Sequence, residues 1–157
     1  MELCREKPIE VSEGLYALSC GPDTQVWVYA TFNINGVRYN TVDREKSLRT
    51  QNNGVMTAIT NEGELVEFYG VLREVIQLMY NSNVQSHRTV VLLCCNWYNL
   101  DGTMKSIGID DDGYYRSINI KSFRYKDDPF ILMTQARKIF LSVGHLLGQR
   151  LAGHVEV

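Results

Sequence analysis

Residues equipped for chemistry are few in this 157-residue chain, and they are scattered. Its four cysteines stand at positions 4, 20, 94 and 95. Cys94 and Cys95 fall inside Val90-Val91-Leu92-Leu93-Cys94-Cys95-Asn96-Trp97, a strand-like run whose successive side chains point to opposite faces, so the two thiols do not converge on one metal ion. No Cys-x-x-Cys pair or nearby histidine completes a ligand set, and the cysteines read as reduced thiols. His87, His145 and His154 are far apart, without a recognisable catalytic partner. An EF-hand loop starting at Asp110 would need a glutamate at its twelfth position, where Lys121 stands, so Asp110-Asp111-Asp112-Gly113 reads as a solvated acidic turn. Phosphate-binding glycine loops, nucleophile elbows and zinc-hydrolase motifs do not occur. The expectation is a binder without catalytic residues, cofactor or metal, not an enzyme.

Three groups of residues could bind. Arg38, Arg44, Lys46 and Arg49 form a local basic cluster near Trp27, Tyr29 and Tyr39, the combination of phosphate-neutralising cations and stacking rings that single-strand binders use. Asp43 and Glu45 interrupt it, which favours a mixed-charge loop instead. Phe68, Tyr69, Trp97, Tyr98, Tyr114 and Tyr115 could contribute to an aromatic cage for a methylated lysine, although most such residues are ordinary core or cross-strand neighbours. Leu146, Leu147 and Leu151 in the carboxyl-terminal tail are spaced for a short amphipathic helix that could pack on a partner.

The elements that must position these groups read mainly as strands. Gln25 to Ile34 is rich in β-branched and aromatic residues, and Asn35-Gly36 joins it to Val37–Val42 with the strongest short hairpin signal. Asp43 to Gly54 is polar enough to be a solvated loop, Val55 to Thr60 is a third strand, and Asn61-Glu62-Gly63 ends it. In Glu64 to Tyr80 the residues Leu65, Phe68, Leu72, Val75, Ile76 and Met79 fit a helical stripe slightly better than a strand. Asn81-Ser82-Asn83 is a turn, Arg88 to Tyr98 a central strand covered on both faces, and Tyr114 to Ile120 another strand. Asp128 is placed to cap a short helix with Pro129 at its first position, running through Met133.

A net charge of -2 gives no general attraction to nucleic acid, and no apolar run approaches the roughly 20 residues of a membrane-spanning helix. The amino end carries no apolar leader, so an intracellular protein, cytoplasmic and/or nuclear, is expected.

Phe68-Tyr69-Gly70-Val71-Leu72-Arg73-Glu74-Val75-Ile76-Gln77-Leu78, Leu92-Leu93-Cys94-Cys95-Asn96-Trp97-Tyr98, Tyr125-Lys126-Asp127-Asp128-Pro129-Phe130-Ile131-Leu132 and Gln135-Ala136-Arg137-Lys138-Ile139-Phe140 together resemble a plant domain of unknown function. That domain lies near the carboxyl end of proteins encoded by CACTA (En/Spm-like) transposons. Val37-Arg38-Tyr39, Asp43-Arg44 and Thr50-Gln51-Asn52-Asn53-Gly54-Val55 look like the segment preceding it, and the resemblance covers roughly residues 16 to 140. It carries over no catalytic residue. The order of elements also looks like that of bromo-adjacent-homology chromatin readers, a likeness of pattern that favours a strand over Glu67–Leu78. After Phe140 the chain departs from the family pattern, and the missing transposase catalytic region makes transposition by this chain alone implausible.

The expected fold is therefore mainly β (α+β): an antiparallel sheet or small barrel with one short helix near residues 129–135 and a tail that could be helical. Residues 1–15 are expected to be a loosely ordered segment, 16–141 the β domain and 142–157 a divergent tail. The expected function is that of a domesticated transposon fragment that binds, and regulates or inhibits, another intracellular protein through strand edges or the tail. A chromatin or nucleic-acid accessory role is the alternative, and self-association is compatible with either.

Overall fold

In a computed structural model the chain is described for residues 13–49, 51–80, 88–100, 107–109, 116–120, 122–144 and 150–154. The architecture is mainly β, as expected, and every strand pairing is antiparallel. After a helix α1 (Glu13–Cys20) come β1 (Trp27–Tyr29), β2 (Thr31–Ile34) and β3 (Val37–Asn40). The strand expected over 25–34 is thus broken at Ala30: β1 joins the main sheet, whereas β2 and β3 form a separate hairpin. Its turn residues Asn35 and Gly36 have φ of 50° and 82°, the left-handed pair that a tight hairpin requires.

The polar stretch that follows is not simply a loop. Val42–Glu45 forms one helical turn, α2, capped by the Thr41 hydroxyl oxygen, which accepts from the Arg44 backbone N–H. Glu45 turns inward and accepts from the Asn40 amide and the Asn52 backbone N–H, fastening the hairpin to the strand beyond.

The main sheet is built on three long strands, β4 (Gly54–Asn61), β5 (Glu64–Tyr80) and β6 (Arg88–Tyr98). Residues 64–80 are strand throughout, as the order of elements favoured over Glu67–Leu78 and against the slight preference of the periodicity for a helix. The cause is a bulge: Leu72 faces Cys95 but Glu74 faces Cys94, so Arg73 is an extra residue. The insertion places Leu72 and Val75 on one face, three residues apart, and that spacing imitates a helix.

The remaining strands are β7 (Ile107–Ile109), β8 (Arg116–Asn119), β9 (Phe123–Arg124), β10 (Phe130–Leu132), β11 (Arg137–Gly144) and β12 (Arg150–His154). They give the order β10-β6-β5-β4-β11-β12-β8-β7, with β1 added to β5 and β9 to β6. Two sequence expectations change here. Phe130–Leu132 is strand, and the short helix is confined to a 3-10 turn at Met133–Gln135. Pro129, with no N–H to give, uses its carbonyl to accept from the Cys95 amide at 2.9 Å, so the proline opens a strand instead of a helix. In the tail, where the leucine spacing was compatible with a short helix, Arg150–His154 is strand, paired with both β11 and β8.

Each face of the sheet carries its own core. On one face Val55, Leu72, Val75, Leu93, Cys95 and Trp97 pack beneath Ile34 and Tyr39 of the β2–β3 hairpin, with Met133 and Ala136 of the crossing chain against them. On the other, Met56, Tyr69, Val71 and Tyr98 pack with Ile118, Ile139 and Leu141.

Candidate functional site

Strand alternation divides the aromatic residues of β5 and β6 between the two faces: Phe68 and Trp97 point one way, Tyr69 and Tyr98 the other. Trp97 is buried because Gly70, its cross-strand partner, leaves room for it; a Cβ on Gly70 would stand 2.8 Å from the indole and 2.6 Å from the Asn96 carbonyl oxygen.

A third ring is delivered by the loop after β9. Phe123 faces Tyr98 and stacks on it with 5.2 Å between centroids. Simple alternation would send Tyr125 the same way. Instead Tyr125 has φ 57°, a left-handed conformation that is an outlier for a bulky residue. Its carbonyl accepts from the Asp128 amide at 3.2 Å, closing a turn, and its ring stands edge-to-face with Phe68 at 5.6 Å and 69°. Phe68 meets Trp97 in the same manner, at 6.5 Å and 74°. Three rings set roughly perpendicular to their neighbours make a corner, not a stack.

These rings line a recess of about 270 Å³. Ile59, Phe130 and Ile131 complete its apolar lining, and Thr57, Asp128 and Gln135 supply the polar groups. Tyr125 and Phe130 are nearly half exposed, so the recess opens to solvent, while Trp97 forms a buried wall. The Arg124 guanidinium lies 5.0 Å from the Tyr125 centroid and is not part of the lining. A second hollow, lined by Gly14, Ala17, Leu18, Tyr80, Arg88, Thr89 and Val90, has only one ring and one charged group.

The residues singled out from sequence fare differently. Phe68 and Trp97 do come together, but Tyr69 and Tyr98 lie across the sheet, and Tyr114 and Tyr115 are outside the described residues. Tyr125 and Asp128 were missed; the available signal was an aromatic residue within the polar turn Tyr125-Lys126-Asp127-Asp128, where no core could use it. Arg44 is in α2, and Lys46 and Arg49 follow it, all exposed; Arg38 is exposed on β3. Lys46 is engaged by Asp43 at 2.6 Å, and that contact holds the Asp43 carboxyl below its ordinary pKa. Leu146 and Leu147 lie outside the described residues, and Leu151 is in β12 between β11 and β8.

Cys94 and Cys95 are buried free thiols, and burial pushes both pKa values up, the opposite of what a reactive or metal-binding thiolate needs. Among the described residues no cluster of His, Cys, Asp or Glu could hold a metal ion, and no helix is long and apolar enough to cross a membrane.

Residues 76–147 match a family described as a domain of unknown function, DUF4216. The matched stretch begins within β5 and runs past β11, taking in Trp97, Tyr125 and Asp128. No curated protein and no solved structure matches the chain.

Proposed function

We propose that this chain is a non-catalytic protein-binding module, a transposon-derived plant fragment that binds and regulates another protein within the cytoplasm or nucleus. The observation carrying this reading is the open recess between Phe68, Trp97, Tyr125 and Phe130. Concave, largely apolar sites with a few polar groups are where partner side chains are anchored, and aromatic residues dominate such anchors. The recess holds one titratable acid, Asp128, among its polar lining groups, which suits recognition better than paired acid–base chemistry. The family resemblance supports the transposon ancestry.

The test is affinity capture with the tagged chain, with and without nuclease, beside a Tyr125→Ala variant. A discrete partner that survives nuclease and moderate salt, and is lost from the variant, is the expected result. Capture of nucleic-acid-bound material alone, abolished by nuclease, would overturn the reading and turn attention to Arg38, Arg44, Lys46 and Arg49.

A further inference from the structure

We propose that the recess recognises a methylated lysine side chain on its partner, a refinement that rests on the protein-binding reading above. The rings of Phe68, Trp97 and Tyr125 meet edge to face, so a group entering the corner they form encounters more than one ring. A cation within about 6 Å of ring centroids is attracted by their quadrupoles, most strongly to Trp and most of all when it has left water. Asp128 on the same lining adds a negative charge, and no cationic side chain contributes to the lining to oppose it.

The choice among cations follows from hydration. An unmodified ammonium is compact and strongly hydrated, with three N–H donors to satisfy against walls that are mostly carbon. A guanidinium has five donors arranged in one plane and needs acceptors around its rim. Methylation removes donors and weakens hydration while leaving the charge, so a dimethyl- or trimethyl-ammonium loses least on entering. The Tyr125 ring also accepts a cation from its own chain, since Arg124 lies over it from outside the recess. The left-handed backbone at Tyr125 is an independent sign: it is what directs this ring to the corner and away from the Tyr98–Phe123 stack.

The experiment uses the full chain carrying Trp27→Phe, so that the indole N–H resonance reports Trp97 alone. It is titrated with Nα-acetyl-Nε-trimethyllysine methylamide, with the unmethylated compound, and with the uncharged analogue in which carbon replaces the quaternary nitrogen. The trimethyl compound should shift the resonance and bind roughly tenfold more tightly than either control, a difference in keeping with a partly desolvated cation–π contact. Asp128→Asn, an exposed and conservative change, should weaken that binding several-fold without altering the fold. Equal binding of the uncharged analogue would show an apolar pocket and overturn the proposal. So would a silent Trp97 resonance with every compound, even where partner capture still depends on Tyr125; that combination would leave the protein-binding reading standing by itself.

Discussion

Phe68 and Tyr69, Trp97 and Tyr98, Phe123 and Tyr125 are near neighbours in sequence, yet one member of each pair lies on the face that carries the recess and the other on the opposite face, where Tyr69 and Tyr98 are buried and Phe123, nearly half exposed, covers Tyr98 at the edge. On the closed side Tyr69 and Tyr98 are buried, Tyr98 stacks on Phe123 with the rings 23° apart, and Ile118, Ile139 and Leu141 complete the packing. On the open side the hairpin and the 3-10 turn cover Leu72, Val75 and Leu93 but stop short of Phe68 and Tyr125. Aromatic content therefore does not distinguish core from site here. What distinguishes them is where the covering layer ends.

The sharpest division of the two sides comes from truncating a buried residue on each. Trp97→Ala should cost about 3–5 kcal/mol and Ile139→Ala about 2–5 kcal/mol, read from chemical denaturation. Trp97→Ala alone should also remove ligand binding. If Trp97→Ala cost less than about 1 kcal/mol, Trp97 would belong to the recess only, and the idea that the open side stands on a packed wall would fail. Gly70→Ala comes next. Its new Cβ would press on the Asn96 carbonyl and the Trp97 ring, with a destabilisation of about 1–3 kcal/mol and a displaced Trp97 resonance. An unmoved resonance would show that the strand pair absorbs the methyl without disturbing the recess.

The strands of the framework were easier to foresee than the recess, for physical reasons. Asn35-Gly36 announced its hairpin because few other residue pairs accept φ of 50° and 82° in succession. Arg88–Tyr98 was legible as a central strand because it is apolar on both faces. By contrast β5 was obscured by the bulge at Arg73, since periodicity assumes that no residue is inserted, and it was the likeness in the order of elements that tipped the reading to a strand. Asp128-Pro129 carries the same residue types as a helix start; pairing of Phe130–Leu132 with β6 overrode that local preference. Phe68 and Trp97 could be named as cage candidates from residue type. Tyr125 could not, because its placement depends on a backbone conformation that tyrosine seldom adopts.

The phenol of Tyr98 offers a gentler probe of the closed side. Burial pushes its pKa up from 10.0 to about 12. The native state thus holds this proton more tightly than the unfolded chain does, so the contribution is fully present below pH 10 and is lost as pH rises through about 12. Denaturation midpoints should be steady up to pH 10 and fall between there and about pH 12. Tyr39, also raised by burial, adds in the same sense, so Tyr98→Phe should reduce the alkaline loss without abolishing it. An unchanged alkaline loss in Tyr98→Phe would mean that Tyr98 is wetter than its packing implies.

The smallest effect on stability should come from Tyr125→Gly, where two opposed terms nearly cancel. Glycine takes a φ of 57° freely, which relieves strain of order 1 kcal/mol or more. Losing the ring removes its edge-to-face contact with Phe68, worth about 0.5–1.5 kcal/mol. The net change should lie within about 1 kcal/mol of zero, while binding in the recess is lost. Such a result would separate the two sides: at Trp97 stability and binding fall together, and at Tyr125 only binding falls. A large destabilisation would instead make Tyr125 a structural ring, and its left-handed backbone would then be explained by packing on Phe68 without any ligand.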